Sequence, residues 1–306
     1  SSSKISLGRY RLTQDWQEFS VNISPAANLS AIRGGFGWSI GHNDMPSDMQ
    51  TAIFFIDEVR FTRNTWNEPR FLPSYEMKDA STHDFDRVLV NTGFSYDNAL
   101  AIMAFLAQDS EPGTQRARLI GDAFLYAMNH DPYYNDGRIR AAYSNGDLKA
   151  WKGYYTGVEP TVRLPGFSDS TGKWYQDISA ISTDTGATLW VALALISLHE
   201  RTSETKYLEG AIGLANWIEL NTRNPYGPGY MGGERGFDGQ AEKLTYLSTE
   251  HNLDAVAVFT RLGELTNDPI WNERANQARS FMDIVWNSMD SRSEERRVGK
   301  ECRSRW

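Results

Sequence analysis

The chain has 306 residues, enough for two ordinary domains with a buried core. Hydrophobic residues make up 40% and argue against disorder throughout, while the 12% aromatic share, with ten Trp, suits packed cores or sugar-stacking surfaces. The formal charge of −8 repels nucleic-acid phosphates and anionic lipid, so neither is an expected partner.

Residues 5 to 63 read as β. Gln17, Phe19, Val21 and Ile23 form a largely apolar set alternating with Trp16, Glu18, Ser20 and Asn22. Phe36 and Trp38 sit in a glycine-rich segment, and Ala52 to Phe61 reads as a last strand. Short strands between Pro, Asn, Ser and Asp loops predict a jelly-roll-like β-sandwich. The stretch is too short for a whole one, which needs about eight strands. The segments D-W-Q-E-F-S-V-N, I-R-G-G-F-G-W and F-F-I-D-E-V-R-F resemble the closing strands of galactose-binding-like carbohydrate-binding modules, over residues 11 to 61. That resemblance implies a sugar-binding or spacer module whose first strands are missing. Residues 64 to 90, with Asn64, Asn67, Pro69, Pro73 and Ser74, read as a linker.

From residue 91 to 290 the period is helical, and three hairpins follow. Their helices are predicted over 96–107 and 115–128, 183–199 and 204–220, and 249–265 and 269–286, with Gly113 interrupting the first pair. The first helix of each pair is almost wholly apolar, as in Leu189 to Ile196. The second is amphipathic: Arg116, Arg118 and Asp122 stand against Leu119, Phe124 and Leu125. Buried helices alternating with half-exposed ones predict an (α/α) toroid. The expected fold is therefore multidomain: a partial β-sandwich, then a mainly α, incomplete toroid of about three hairpins.

The inner helices open alike, with Ser95-Tyr96-Asp97, Ser182-Thr183-Asp184 and Ser248-Thr249-Glu250. Ser is a favoured N-cap, and a first-turn acid is stabilised by the helix dipole, so capping alone explains the pattern. Equivalent hairpins would also gather the three acids at one mouth. His251, Asn252 and Asp254 follow Glu250, and Glu250 and Asp254 share a helix face. Two carboxylates in contact cannot both ionise freely, so one keeps its proton to higher pH, as a general acid must. Asp97 is then the expected base and Glu250 the acid, with Asp184 and Asp254 in reserve. In glycoside hydrolysis one carboxyl protonates the leaving oxygen and the other activates water or attacks the sugar.

Two loops supply candidate sugar contacts. The stretch between His130 and Ile181 carries Trp151, Tyr155, Trp174 and Tyr175, and loops that long are usually functional. The second carries Tyr230, Glu234, Arg235 and Lys243 among glycines. Tyr96, His251 and Asn252 complete the candidate binding set. Trp190 and Trp217 lie on helices and are expected to pack. Asp131, Asn135 and Asp136 are read as a polar turn rather than a calcium site.

The segments G-F-S-Y-D-N-A-L-A-I-M-A-F-L-A, D-T-G-A-T-L-W-V-A-L-A-L and S-T-E-H-N-L-D-A-V-A-V-F are similar to a bacterial six-hairpin glycosidase-type (α/α) domain, over residues 91 to 287. The resemblance implies a toroid that acts on a polysaccharide or oligosaccharide; it carries over no catalytic pair. Three hairpins are present where that family's name implies twice as many. A polysaccharide lyase using Tyr155, His251 and Arg163, and a non-catalytic glycan-binding scaffold, stay open as alternatives.

Arg292 to Trp306 breaks the helical pattern and resembles the translation of a DNA-sequencing adapter, so 291–306 is read as a non-native tail. It holds six Lys/Arg against three Asp/Glu, which leaves the preceding chain at −11. It also holds Cys302, the only cysteine, so nothing before it offers a disulfide or a thiolate. That suits a bacterial secreted or periplasmic protein. The first residues have neither Met nor a signal-peptide core, and both ends read as cut. No H-E-x-x-H, P-loop or spaced His/Cys cluster occurs, so no metal or other cofactor is expected. The longest apolar stretch, Ala187 to Leu198, is too short to cross a bilayer, so no membrane insertion is expected. The oligomeric state is not legible.

Overall fold

The computed structural model describes residues 68–75, 84–146, 148–149, 160–168, 174–236, 241–287 and 292–293. The chain divides into two units, Ser1–Thr62 and Arg63–Trp306. The expected β-sandwich lies outside the described residues, as does the tail apart from Arg292 and Ser293.

In chain order the second unit begins with a short helix α1 (Asp84–Leu89) and a strand β1 (Thr92–Phe94). The first hairpin is α2 (Ser95–Ala107) with α3 (Glu111–Asn129). Short strands follow: β2 (Ala142–Ser144), β3 (Gly166–Ser168), β4 (Trp174–Gln176) and β5 (Thr183–Asp184). The second hairpin is α4 (Thr185–Thr202) with α5 (Thr205–Thr222). Strands β6 (Met231–Arg235) and β7 (Glu242–Leu247) lead to the third, α6 (Thr249–Thr266) with α7 (Ile270–Val285). A last pair of two-residue strands, β8 (Trp286–Asn287) and β9 (Arg292–Ser293), closes the described chain. All strand pairs are antiparallel: β1 with β2, β3 with β4, β5 with β6 and β6 with β7.

The helices α2, α4 and α6 form an inner row, α4 packing on both others. Each outer helix packs on its own partner. Burial follows from this. Helix α4 has neighbours on every side, so Leu189, Val191, Ala192, Leu195, Ile196 and Leu198 are all buried. Helix α7 buries one stripe, Trp271, Ala275, Ala278 and Phe281, and turns Glu273, Arg279 and Asp283 to water. The expectation that all inner helices are buried holds for α4 alone. With an inner neighbour on one side only, α2 and α6 leave Leu100 and Leu253 exposed.

The hairpins are equivalent at their turns. The non-glycine residues with left-handed backbone among the described ones are Asp109, Ser203 and Asn267, one per hairpin. Thr202 and Thr266 each donate a hydroxyl to the carbonyl four residues back and accept the second N–H beyond the helix end. The expected break at Gly113 is not there. Helix α3 starts at Glu111, capped by Ser110, whose Oγ accepts the Gly113 N–H. Gly113 is a packing device: a Cβ there would meet the Phe105 carbonyl oxygen at 2.5 Å.

Residues 68–75, read from the sequence as linker, dock on the core through Phe71 and Leu72. Phe71 stacks on Tyr143 with centroids 4.7 Å apart and meets Phe124 edge-on at 5.0 Å. The Asn98 side chain ties both backbone groups of Leu72.

The strongest constraint is buried charge. Arg140 is fully buried and binds both oxygens of Asp131, at 2.5 and 2.8 Å, and the Ile181 carbonyl at 2.7 Å. Asp131 also accepts the N–H groups of Tyr133 and Tyr134. Arg140→Met leaves Asp131 buried without its partner, so urea unfolding is expected to show a loss of about 3–5 kcal/mol. A loss below about 1 kcal/mol contradicts this account of the pair.

Candidate functional site

The N-terminal ends of α2, α4 and α6 meet the small strands at one end of the unit, but their Ser-x-acid openings differ in helix register. Ser95 already belongs to α2 and donates its hydroxyl to the Arg140 carbonyl at 2.6 Å. Asp97 is then the third helical residue. Ser182 donates to the Ile178 carbonyl, and Asp184 itself caps α4, accepting the Ala187 N–H at 2.9 Å. Only Ser248 caps as expected, accepting the His251 N–H at 3.4 Å. The likeness of the three openings is thus one of sequence and not of local geometry.

Asp184, Glu250, His251 and Asp254 nevertheless come together. Asp184 Oδ1 lies 3.7 Å from His251 Nε2. The imidazole lies against Gly186, where a Cβ would meet its Cδ2 at 2.6 Å and Nε2 at 2.8 Å. Any side chain at 186 would push the ring away. His251 is buried, and its Nδ1 has no hydrogen-bond partner among the described residues.

Asp254, one turn after Glu250, is 9% exposed. Burial pushes its carboxyl up to about 6, the neighbouring Glu250 charge adds to this, and Asp184 adds a little more. The Trp190 indole N–H opposes them. That N–H is close enough to hold the carboxyl down somewhat, yet neither it nor Asp254 Oδ2 completes a well-formed hydrogen bond. Tyr246, whose ring lies 6.0 Å from His251, is also raised, first by burial and then by Asp184 and Glu250. Trp190 in turn meets Tyr96 edge-on at 5.2 Å, so contacts run from α2 through α4 to α6.

A cleft of about 340 Å³ adjoins the cluster, lined in part by Phe94, Tyr96, Ser182, Asp184, Arg235 and Leu244. The cleft lining includes Asp184 and Tyr96. Glu250, His251 and Asp254 are not among its lining residues. Asp97 makes no hydrogen bond with the other three acids among the described residues.

Other expected sugar contacts are engaged elsewhere. Tyr230 is fully buried and donates its hydroxyl to Glu219 at 2.7 Å. Asn252 is fully buried and ties both backbone groups of Tyr230 to α6. Both sit in the core because backbone polar groups there need partners. Glu234 is 8% exposed and paired with Arg138 at 2.8 Å and Lys243 at 2.5 Å, so these two expected contacts bind each other. Trp151 and Tyr155 lie outside the described residues. Trp174 and Tyr175 sit on β4 opposite Ser168 and Phe167, with side chains outside what is described. Asp131 and Asp136 each hold an arginine, Arg140 and Arg138.

Tyr246 lies beside His251 although the sequence did not single it out, and Trp190, expected only to pack, approaches Asp254 with its indole N–H. Trp217 packs as expected, its N–H donated to Asp136.

No protein-family model matches the chain, and no curated protein does. Among solved structures it is similar to a family 76 glycoside hydrolase from a bovine Bacteroides thetaiotaomicron strain, with 16% identity over 64% of this chain and 36% of that one, TM-score 0.46. It is similar to a D-mannose isomerase, with 17% identity over 66% and 48%, TM-score 0.47. A sugar epimerase from a ruminal bacterium gives 14% identity over 64% and 45%, TM-score 0.43. The chain spans less than half the length of each of these proteins. Among the described residues no helix is long and apolar enough to cross a membrane.

The raised carboxyl has a stability signature. Below about pH 3.8, folded and unfolded chains both hold the Asp254 proton. Between there and about 6 the unfolded chain releases it and the folded chain does not, so this group lowers stability as pH rises. Asp254→Asn is therefore expected to gain stability relative to the parent at pH 8 and not at pH 3.5, by thermal or urea unfolding. An equal difference at both pH values contradicts the assignment.

Proposed function

We propose that the protein is a glycoside hydrolase acting on a polysaccharide or oligosaccharide. The observation that carries this reading is Asp254, which beside the Glu250 charge holds its proton up to about pH 6, near a third carboxyl, Asp184, at the edge of an aromatic-lined cleft. Asp254 is the buried store of that proton, and Glu250, the exposed acid one turn before it, is the proposed relay to the leaving oxygen. Asp184, which faces the cleft, is the proposed base towards water. The sequence favoured Asp97 for that role; the contacts of Asp184 with His251 and the cleft favour Asp184.

A general acid must be protonated, so kcat/KM is expected to fall as pH rises through about 6. With α-1,6-mannotetrose among the substrates tried, Glu250→Gln and Asp184→Asn are expected to lower kcat by about 10²–10⁴-fold, and Asp97→Asn by less than about tenfold. Full turnover in Glu250→Gln, or an equal loss in Asp97→Asn, contradicts the assignment.

One observation favours a second reading. The buried imidazole of His251, with an unpartnered Nδ1 and Asp184 at its other nitrogen, suits proton removal and return at a sugar carbon. Such an isomerase or epimerase gives a product of unchanged mass, whereas hydrolysis adds water and yields two sugars. Mass spectrometry of the products separates the two.

A further inference from the structure

In a hydrolysis run by carboxyl groups the imidazole of His251 has no proton to give or take, yet Gly186 makes room for it beside Asp184. The side chain is buried and is not among the residues lining the cleft, whereas Asp184 is. A group so placed acts on a substrate through a neighbour. The titratable groups around the ring are Asp184 from the cap of α4, Tyr246 from β7, and Glu250 and Asp254 from its own helix. Its Nε2 approaches Asp184, at 3.7 Å from Oδ1. That is longer than a hydrogen bond, as catalytic contacts commonly are before a substrate is bound.

The two oxygens of Asp184 are not equivalent. Oδ1 accepts the Ala187 N–H at 2.9 Å and has the imidazole on it as well. Oδ2 has no hydrogen-bond or ion-pair partner among the described residues, and the side chain is 34% exposed, open enough for water to reach it. One oxygen is held from two sides and the other is left over, which is what a base directed at water needs.

The ring has one tautomer that suits this arrangement. A neutral imidazole carries its proton on one nitrogen only. Nδ1 is buried with no partner among the described residues, so the Asp184 carboxylate draws the proton to Nε2 and leaves Nδ1 bare. Gly186 sets the approach. A Cβ at 186 would lie 2.6 Å from the imidazole Cδ2, 2.8 Å from Nε2 and 3.3 Å from Asp184 Oδ1, so the missing side chain is where carboxylate and ring meet.

We propose that His251 is a positioning residue: with its Nε2–H turned to Oδ1 it holds the Asp184 carboxylate so that Oδ2 is the oxygen offered to water, and Gly186 is the spacer that permits this. The proposal rests on Asp184 being the base. Its first test needs no substrate. Long-range proton–nitrogen NMR of the whole chain, with His251→Gln to assign the ring, is expected to show Nε2 protonated and Nδ1 bare, and Gly186→Ala is expected to move both nitrogen signals. Alanine is the better helix former at 186, so that variant is expected to fold. A proton on Nδ1 of the neutral ring, or a ring unmoved by Gly186→Ala, overturns the proposal. Kinetics on α-1,6-mannotetrose then separate it from the hydrolase reading. His251→Leu, which keeps apolar bulk, and Gly186→Ala are expected to lower kcat by about 10–10²-fold with KM within about twofold. His251→Gln, which returns an N–H near the place of Nε2, is expected to recover most of that loss. A loss carried by KM, or an equal loss in the Leu and Gln variants, overturns the proposal. Full turnover in Asp184→Asn ends the base assignment whatever the tautomer. Loss in Asp184→Asn with full turnover in His251→Leu ends this inference alone. A parent without turnover counts against the hydrolase reading, and the ring tautomer still decides the contact of His251 with Asp184.

Discussion

A buried guanidinium has to be matched on every side, and Arg140 organises the site end of the helical unit for that reason. Its charge is met by Asp131 and the Ile181 carbonyl, and Asp131 in turn fixes the backbone of Tyr133 and Tyr134 beyond α3. With the side chain fixed, the backbone of the same segment becomes a template. The Arg140 carbonyl takes the Ser95 hydroxyl, the Ala141 carbonyl takes the Ser95 N–H, and the Ala141 N–H reaches the Ser182 carbonyl at 2.6 Å. The starts of α2 and α4 are thereby tied to one strand of chain. An ion pair of this kind adds less to stability than its Coulomb energy suggests, but removing either member leaves an unmatched charge.

The geometry of the acids follows. Helix α4 is held between α2 and α6, so its polar residues near the start look towards both. Asp184 meets His251 on α6, and Trp190 meets Tyr96 on α2 while approaching Asp254 on α6. Gly186 makes the contact possible by leaving room for the imidazole. The result is a negative field in a half-dry place, where one carboxyl holds its proton far above the ordinary range.

The three helical hairpins were legible in the sequence because their periodicity is strong, and every predicted helix is there to within a few residues. The short strands and the docking of 68–75 were not legible. Phe71 in a Pro- and Asn-rich stretch gives no periodic signal, yet its ring stacks in the core. Of the candidate site, the Glu250/Asp254 neighbourhood could be read, since i and i+4 on a helix are adjacent by geometry alone. The convergence of Asp184 could be expected but not its mode, because the same Ser-x-acid string sits in three helix registers. Tyr230, Glu234 and Lys243 were chosen for residue type in a glycine-rich loop, and Asn252 for following Glu250 on its helix. Only tertiary contacts reveal that they satisfy one another and the core. Trp190 shows the reverse: its helical setting suggested packing, while its indole N–H faces the acids.

The account rests on Asp254 holding its proton beside Glu250. The most direct measurement is a carbon-13 NMR titration of the side-chain carboxyls, with Asp254→Asn used to assign the signal. The account predicts one aspartyl carboxyl titrating with an apparent midpoint of about 6 that disappears in the variant. If that carboxyl instead titrates with the exposed acids near pH 4, Asp254 holds no such proton and the proposed acid role fails.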